Sequence, residues 1–416
     1  MVEHNRLFNR DFILLWQGMA FSAFGSILYS IAIGYWVYET TGSTALMGVI
    51  SSITLFTMVF IGPITGAMID RMHRRNVLVI TDIVRGVIFL LVGYMALKSE
   101  LNVTMVVIVA LVSGVCGAFF FSPAASSLFP DLLPNDEAVR GQSIASGTDS
   151  LIRLAGSAAS GSLIVMFKGP VLILLNGMTY FLSAFSELFI TPITTKNQDT
   201  KINVKTIMSD MKAGAIFAFT SAGLSTMMIA VLIINLLASG FNTLMVAYVL
   251  SQGMDMIQYG MIAGATSFGG LMGMMIISLI KIKDEKRYLV SMSTFIMSSV
   301  FIVVGLILGN YYQLIFFFFI AQLTNAIGNA LFNAAFILYT PQEKRGILVG
   351  FISSAAIFGS ATSALIYGFL GEFIPLRLLG IFGNILAMVP FIAILKDKNT
   401  KKIFINDVSN LKYETI

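Results

Sequence analysis

Long apolar runs without any charged side chain constrain this sequence more than any other feature. A helix that crosses a bilayer takes about 20 apolar residues, because unpaired backbone groups are too costly in lipid. With 57% hydrophobic and only 11% charged residues, the composition is far from that of a water-soluble globular chain. We therefore expect an all-α protein embedded in a lipid bilayer. The charge-free runs are 12–38, 46–69, 101–130, 346–371 and 378–395.

Further apolar runs with at most two ionisable residues each raise the number of predicted spans to twelve. The longest is interrupted by the sequence GNYY at 309–312, so it counts as two spans. Residues 213–254 are too long for one span and too short for two, and we interpret 203–222 as an interfacial helix followed by a seventh span over 224–250. The other runs are 76–97, 141–167, 169–195, 256–280 and 288–342.

The distribution of basic residues supports this topology. With both termini in the cytoplasm, 21 of the 26 Lys and Arg residues fall on the cytoplasmic side, as the positive-inside rule requires. A second crossing within 213–254 would move the basic segment KIKDEKR at 281–287 to the outside. The net charge of +5 is this topological bias and does not indicate nucleic-acid binding.

The chain divides into two sets of six predicted spans on either side of a polar linker. The segment that joins spans four and five, at 122–147, resembles the segment that joins spans ten and eleven, at 333–355, which indicates an internal duplication. The predicted organisation is an N-terminal six-helix bundle at 1–193, a linker with an interfacial helix at 194–222, a C-terminal six-helix bundle at 223–396 and a cytoplasmic tail at 397–416.

A charged motif joins predicted spans two and three and resembles a known signature. Together with RLFNRDFILLWQGMAFSAFGS near the N-terminus and WVYETTGSTALMG at 36–48, it is similar to the major facilitator superfamily, within the branch of macrolide-efflux proteins and siderophore exporters. The resemblance covers nearly the whole chain and implies twelve helices in two pseudo-symmetric bundles. The motif residues are Gly66, Asp70, Arg71, Arg74 and Arg75.

In this family the motif latches the cytoplasmic side, which gives each residue an expected role. Gly66 allows two helices to approach closely, and Asp70 lies against the positive N-terminus of the eleventh helix. Arg74 and Arg75 are expected to contact an acid on the facing loop, Asp131 or Asp136. The alternative is that the arginines only anchor the topology.

Ionisable residues inside predicted spans are candidates for proton coupling, because such groups are costly in the membrane. Asp149 and Arg153 lie about 13 and 20 Å into span five, where we expect them to be buried. They form either a proton-exchanging pair or a static ion pair, and the sequence leaves both open. Asp82 and Arg85 fit an intrahelical ion pair.

The sequence departs from the family at the commonest coupling position. Ser26 stands where relatives often carry an acid after the Gly of span one. The proton-coupling acid is then expected to be Asp149 or Glu39, or transport is coupled to protons in another way. In span five Gly156 and Gly161 remain of the antiporter glycine motif, but Ser157 replaces its Pro.

Polar stripes at helical spacing mark a candidate substrate cavity in spans that line it in this family. They suit a neutral or weakly basic amphipathic molecule, because charged substrates would need Arg or Lys clamps. Hydrogen bonds between helices are the alternative role for such stripes. The residues are Gln322, Asn325, Asn329 and Asn333 in span ten, Asn235, Ser239 and Asn242 in span seven, and Ser26, Tyr29 and Trp36 in span one.

Several classes of function are disfavoured. No Walker sequence is present, and one Cys with two His makes neither a conventional metal nor a haem site. We expect no cofactor and no enzymatic activity. The prediction is a monomeric secondary transporter in the cell membrane that exports amphipathic molecules, such as macrolides, in exchange for protons. Uptake or export of another solute, such as a siderophore or a nutrient, and ligand sensing without transport remain alternatives.

Overall fold

The chain is helical throughout the part that the structure describes. The structure is a computed structural model that describes residues 7–69, 72–121, 124–125, 128, 132–134, 137–191, 216, 219–220, 223–340 and 345–405. Within these ranges every regular element is a helix, so the predicted all-α class is confirmed.

The helices of the first half follow the predicted spans closely. The fifth helix, Ala138–Glu187, holds two spans. Lys168 adopts φ 61° and ψ 160° and Pro170 follows two residues later, which bends the chain between residues 167 and 169. The fourth span begins as an α-helix and continues as a π-helix at Val115–Phe121. The helices are α1 (Arg10–Thr41), α2 (Thr44–Ile69), α3 (Arg74–Leu97), α4 (Val103–Gly114) and α5 (Ala138–Glu187).

The second half differs from prediction in its first span, which is three short helices instead of one. The Ser239 hydroxyl donates to the Asn235 carbonyl at 2.6 Å, while the backbone N–H of Gly240 donates to Ser363 at 2.8 Å instead of continuing the helix. The helices are α6 (Leu224–Ala238), α7 (Gly240–Thr243), α8 (Met245–Ser251), α9 (Met256–Leu279), α10 (Asp284–Leu308), α11 (Tyr311–Tyr339), α12 (Arg345–Leu370), α13 (Leu376–Lys396) and α14 (Lys398–Ile405).

The helix lengths agree with twelve spans. Nine helical stretches in the described part of the chain are long and apolar enough to cross a membrane, with Leu224–Thr243 of α6 and α7 counted as one. Helix α5 contains two of the predicted spans. Two shorter apolar stretches, Thr44–Phe60 and Val103–Gly117, lie at the predicted second and fourth spans.

Two compact units divide the chain. The first comprises Met1–Val204 with Val249–Gly264, and the second comprises Lys205–Tyr248 with Ala265–Ile416. The predicted interfacial helix at 203–222 falls almost wholly outside the described residues. The domain boundaries inferred from the sequence therefore stay predictions.

Helix α14 lies within the segment that the sequence indicated only as a tail. Ile403 and Phe404 are buried in the apolar cluster of the second unit, against residues of α6, α10 and α11. Asp397 caps the helix and accepts hydrogen bonds from Thr400 Oγ1 at 2.6 Å and from the Asn399 N–H at 3.0 Å. Partial burial raises the pKa of Asp397, but these hydrogen bonds outweigh it and hold the pKa below its ordinary value.

Candidate functional site

A cavity of about 480 Å³ lies inside the second unit, and both amide stripes predicted from the sequence line it. Helices α6, α7, α9, α10, α11, α12 and α13 contribute to its wall. The predicted residues that line it are Asn235, Ser239, Asn242, Gln322, Asn325, Asn329 and Asn333. Their common location follows from helical periodicity, which places residues three and four apart on one face.

The stripe on α11 presents amides to the cavity. Asn329 donates from Nδ2 to Asn325 Oδ1 at 2.7 Å, so neighbouring turns form a connected row of amides. Asn329 and Asn333 are exposed, whereas Gln322 and Asn325 are half-buried. These side chains can offer both donors and acceptors to a bound molecule.

One amide of the stripe that begins on α6 already forms hydrogen bonds within the protein. Asn235 donates to the Val231 carbonyl at 2.8 Å and accepts from the Ser360 hydroxyl of α12 at 3.2 Å. The alternative role of the stripes, hydrogen bonding between helices, therefore holds for Asn235. It does not describe the exposed amides of Asn329 and Asn333.

Aromatic rings supply the apolar part of the cavity wall. Phe295 and Phe391 stack with ring centroids 4.7 Å apart, and Phe332 meets Phe295 edge-on at 6.3 Å. No charged side chain lines the cavity among the described residues. This combination of rings and amides suits a neutral amphipathic molecule.

Part of this wall was not predicted from the sequence. Ser298 and Ser299 of α10, Thr266 of α9 and Asn384 of α13 also line the cavity. Asn384 is the only amide in the apolar run 378–395, a signal that could have identified it. The two serines form no stripe, and a sequence shows no reason to separate them from other serines in the same helix.

The first unit contains a buried charge cluster, by which we mean Asp82 and Arg85 of α3 and Glu187 of α5. Asp82 and Glu187 are fully buried and Arg85 is 7% exposed. Arg85 Nη1 lies 3.1 Å from Asp82 Oδ1, so the intrahelical ion pair predicted from the sequence is present. Glu187 was not predicted as a site residue, because its contacts come from other turns and helices and form no local motif.

Hydroxyl groups surround the buried charge cluster. Ser22 lies 3.0 Å from Asp82 Oδ2, and Ser183 lies 3.3 Å from Glu187 Oε1 and also within hydrogen-bonding reach of Asp82. Arg85 donates to the Tyr180 hydroxyl, and its guanidinium carbon lies 3.9 Å from the Tyr180 ring centroid.

The span-one residues predicted for the substrate cavity have different surroundings. Ser26 contacts the Tyr180 hydroxyl at 2.8 Å, and this hydroxyl also accepts from Arg85 of the buried charge cluster. Tyr29 packs edge-on against Phe89 at 4.5 Å. Trp36 is half-buried. None of the three lines the cavity of the second unit, so their role as substrate contacts stays a prediction.

The predicted burial of the Asp149–Arg153 pair is wrong. Arg153 Nε lies 2.7 Å from Asp149 Oδ2, but the side chain of Arg153 is 67% exposed and that of Asp149 is 42% exposed. Gln142 and Ser146 lie on the same face of α5 and are exposed too, so this face is a continuous polar stripe. Glu39 is likewise exposed and accepts a hydrogen bond from Tyr35 at 2.7 Å.

The proposed gating motif is only partly described. Arg74 and Arg75 begin α3, and Arg75 donates to the Leu188 carbonyl at the end of α5. Gly66 lies in α2. Asp70, Arg71 and Asp131 lie outside the described residues, so the latch contacts stay a prediction.

The fold and the cavity define a multi-pass membrane protein of the transporter class, and comparison with known proteins identifies the family. The family model described as Major Facilitator Superfamily matches residues 15–305. The chain belongs to the major facilitator superfamily, as the signature motif indicated.

Individual relatives are distant. Macrolide efflux protein A of Streptococcus pyogenes is 24% identical over 157 residues, which is 38% of each chain, so the match spans less than half of that relative. An uncharacterised transporter of the same superfamily from Bacillus subtilis, YfmI, is 22% identical over 88% of this chain and 91% of its own. The crystal structure of the nucleoside transporter NupG superposes with a TM-score of 0.71 at 12% identity, over 92% of this chain and 99% of that one. The likeness to this structure confirms the major facilitator fold. Membership of the superfamily indicates a transporter.

Proposed function

We propose that this protein exports neutral or weakly basic amphipathic molecules, macrolide-type compounds among them, in exchange for protons. The observation that carries the proposal is the cavity of about 480 Å³ that is lined by both amides and phenylalanine rings, with no charged lining residue in the described chain. Rings bury the apolar part of a molecule and amides bind its hydroxyl and carbonyl groups. The direction of transport is supported by the relative that is named for macrolide efflux.

The proposed mechanism is alternating access by rocking of two six-helix bundles in the cell membrane, with both termini in the cytoplasm. Gly66, Asp70, Arg71, Arg74 and Arg75 would form the cytoplasmic latch with Asp131, which breaks as that side opens. The chain would act as a monomer, without a cofactor or nucleic acid, and the proton gradient would supply the energy.

The test is accumulation of macrolides and fluorescent amphipathic dyes in cells that lack other exporters, with and without this protein. We expect lower accumulation when the protein is present, and an uncoupler that collapses the proton gradient should restore it. Higher accumulation would instead indicate uptake. Binding to the purified protein without any change in accumulation would indicate a sensor, and either result would contradict export.

A further inference from the structure

The buried charge cluster of the first unit carries an imbalance of charge. It contains two carboxyl groups, Asp82 and Glu187, but only one cation, Arg85. Arginine stays protonated in proteins, so ionisation of both acids would leave a net negative charge. An uncompensated charge within the membrane is costly, and buried groups avoid this by taking up a proton.

The other ionisable groups around the cluster do not supply the missing positive charge. Tyr29 of α1, Tyr180 of α5 and Cys116 of the π-helix are neutral at ordinary pH. Towards the end of α5, Asp11 of α1 accepts from the Thr191 N–H at 3.2 Å and adds a further acid. Arg75 of α3 is a cation at this end of α5, but its guanidinium donates to the Leu188 carbonyl and forms no ion pair with Glu187.

The contacts indicate which carboxyl group holds the proton. Asp82 accepts hydrogen bonds from Arg85 and Ser22, which stabilise its ionised form. Glu187 contacts Ser183 through Oε1, whereas Oε2 is buried and has no hydrogen-bond partner among the described residues. Glu187 is also the last residue of α5, where the negative end of the helix dipole disfavours a second negative charge.

Ser183 completes a path between the two acids. Its hydroxyl lies 3.3 Å from Glu187 and within hydrogen-bonding reach of Asp82, but a hydroxyl has a single proton to donate. If Glu187 is protonated, its O–H donates to Ser183 Oγ while Ser183 donates to the Asp82 carboxylate. The Ser183 hydroxyl then accepts one hydrogen bond and donates the other, so that its single proton serves one acid only.

We propose that Glu187 and Asp82 share one proton through Ser183, and that this pair is the proton-binding site which couples transport to the proton gradient. The proposal rests on the proposed function for its coupling role, whereas proton binding itself does not. Loss of the proton from Glu187 to water leaves two carboxylates beside one guanidinium. That state is costly unless the cluster opens to water, which links proton release to a change of conformation.

Proton binding is tested on the purified full-length protein by infrared difference spectroscopy. We expect the wild type at neutral pH to show the carbonyl band of a protonated carboxylic acid, and Glu187→Gln to lack it. Ser183→Ala should shift the band, because a hydrogen bond to the acid is removed. Asp149→Asn, which alters an exposed acid of the same helix, is the matched control and should keep it. Absence of the band in the wild type, or its persistence in Glu187→Gln, would overturn the proposal.

Coupling is tested in proteoliposomes with Nile red, a neutral fluorescent dye, and a macrolide as the probes. With a difference of one pH unit, exchange of one proton can concentrate a neutral solute about tenfold. Glu187→Gln should lose this gradient-driven accumulation and retain exchange of labelled for unlabelled probe. Glu100→Gln, which alters an exposed acid just after α3, is the control here and should behave as the wild type. Gradient-driven transport that survives in Glu187→Gln would refute the coupling role alone. A wild type that moves neither probe would count against the proposed function, and the infrared result would still decide proton binding.

Discussion

At the scale of the residue, the structure separates two kinds of polar group that look alike in the sequence. The amides of α11 recur every three or four residues, so their common face was predictable, and they do line one cavity. Glu187 is a single acid in an apolar run, and its importance depends on Asp82 of α3, which only the fold brings near it. Asp149 and Arg153 lie four residues apart, so their ion pair was predictable. Their distance along the helix did not show whether that face of the helix is buried or exposed.

Asn329→Leu tests the amide wall of the cavity. The side chain is exposed on α11, so the change should leave the fold intact while removing the donors and acceptors that a bound molecule can use. Loss of one neutral hydrogen bond weakens binding by about 1 kcal/mol, or roughly fivefold. We expect this loss for macrolides and little change for dyes without hydroxyl groups, measured by binding to the purified protein.

Gln313→Leu is the matched control for this prediction. Gln313 is an amide on the same helix that does not line the cavity, so its replacement should leave all affinities unchanged. An identical binding profile for Asn329→Leu and the wild type would place this amide outside the substrate site.

At the scale of the element, hydropathy predicted where helices lie but not where they break or bend. The break between α6 and α7 depends on the hydroxyls of Ser239 and Ser363, the second of which lies more than a hundred residues away. Helix α14 was not predicted, because a segment rich in lysine is typical of solvent-exposed chain. Its residues Ile403 and Phe404 are nevertheless buried against other helices of the second unit. Local composition cannot report such tertiary contacts.

Gly25→Ala tests the close packing of α1 against the second segment of α5. A Cβ atom at Gly25 would lie 1.9 Å from Thr179 Oγ1 and 2.5 Å from Asn176 Oδ1, so these two side chains would have to shift in a closely packed contact. Overpacking of this kind typically costs about 1–3 kcal/mol. We expect a lower thermal unfolding temperature in detergent, followed by the fluorescence of Trp16 and Trp36.

Gly34→Ala provides the comparison on the same helix. Its Cβ atom would meet only the flexible end of Met47, at 3.9 Å, so the substitution should be tolerated. Equal unfolding temperatures for the two variants would show that α1 and α5 are not packed as closely at Gly25 as the structure indicates.

At the scale of the whole molecule, the placement of charge follows from the solvent. A bilayer allows ions at its edges or inside the protein, and the basic residues gather between spans accordingly. The twelve spans were therefore predictable from apolar runs and the distribution of charge, and the helices agree with them. Their arrangement in two bundles was implied by the family resemblance. The arrangement within the cavity and the buried charge cluster depends on which helices are neighbours, which hydropathy does not specify.

The orientation of the chain can be tested at the two ends of α9. With 24 residues this helix is about 36 Å long, enough to span the hydrocarbon core, so Gln252 before it and Lys283 after it must lie on opposite sides of the membrane. After replacement of the single Cys116 by Ser, we expect an impermeant maleimide to label Gln252→Cys in intact cells. Lys283→Cys should react only after permeabilisation, because it belongs to a segment that carries four basic residues. Labelling of Lys283→Cys from outside would reverse the topology and require residues 213–254 to cross the membrane a second time.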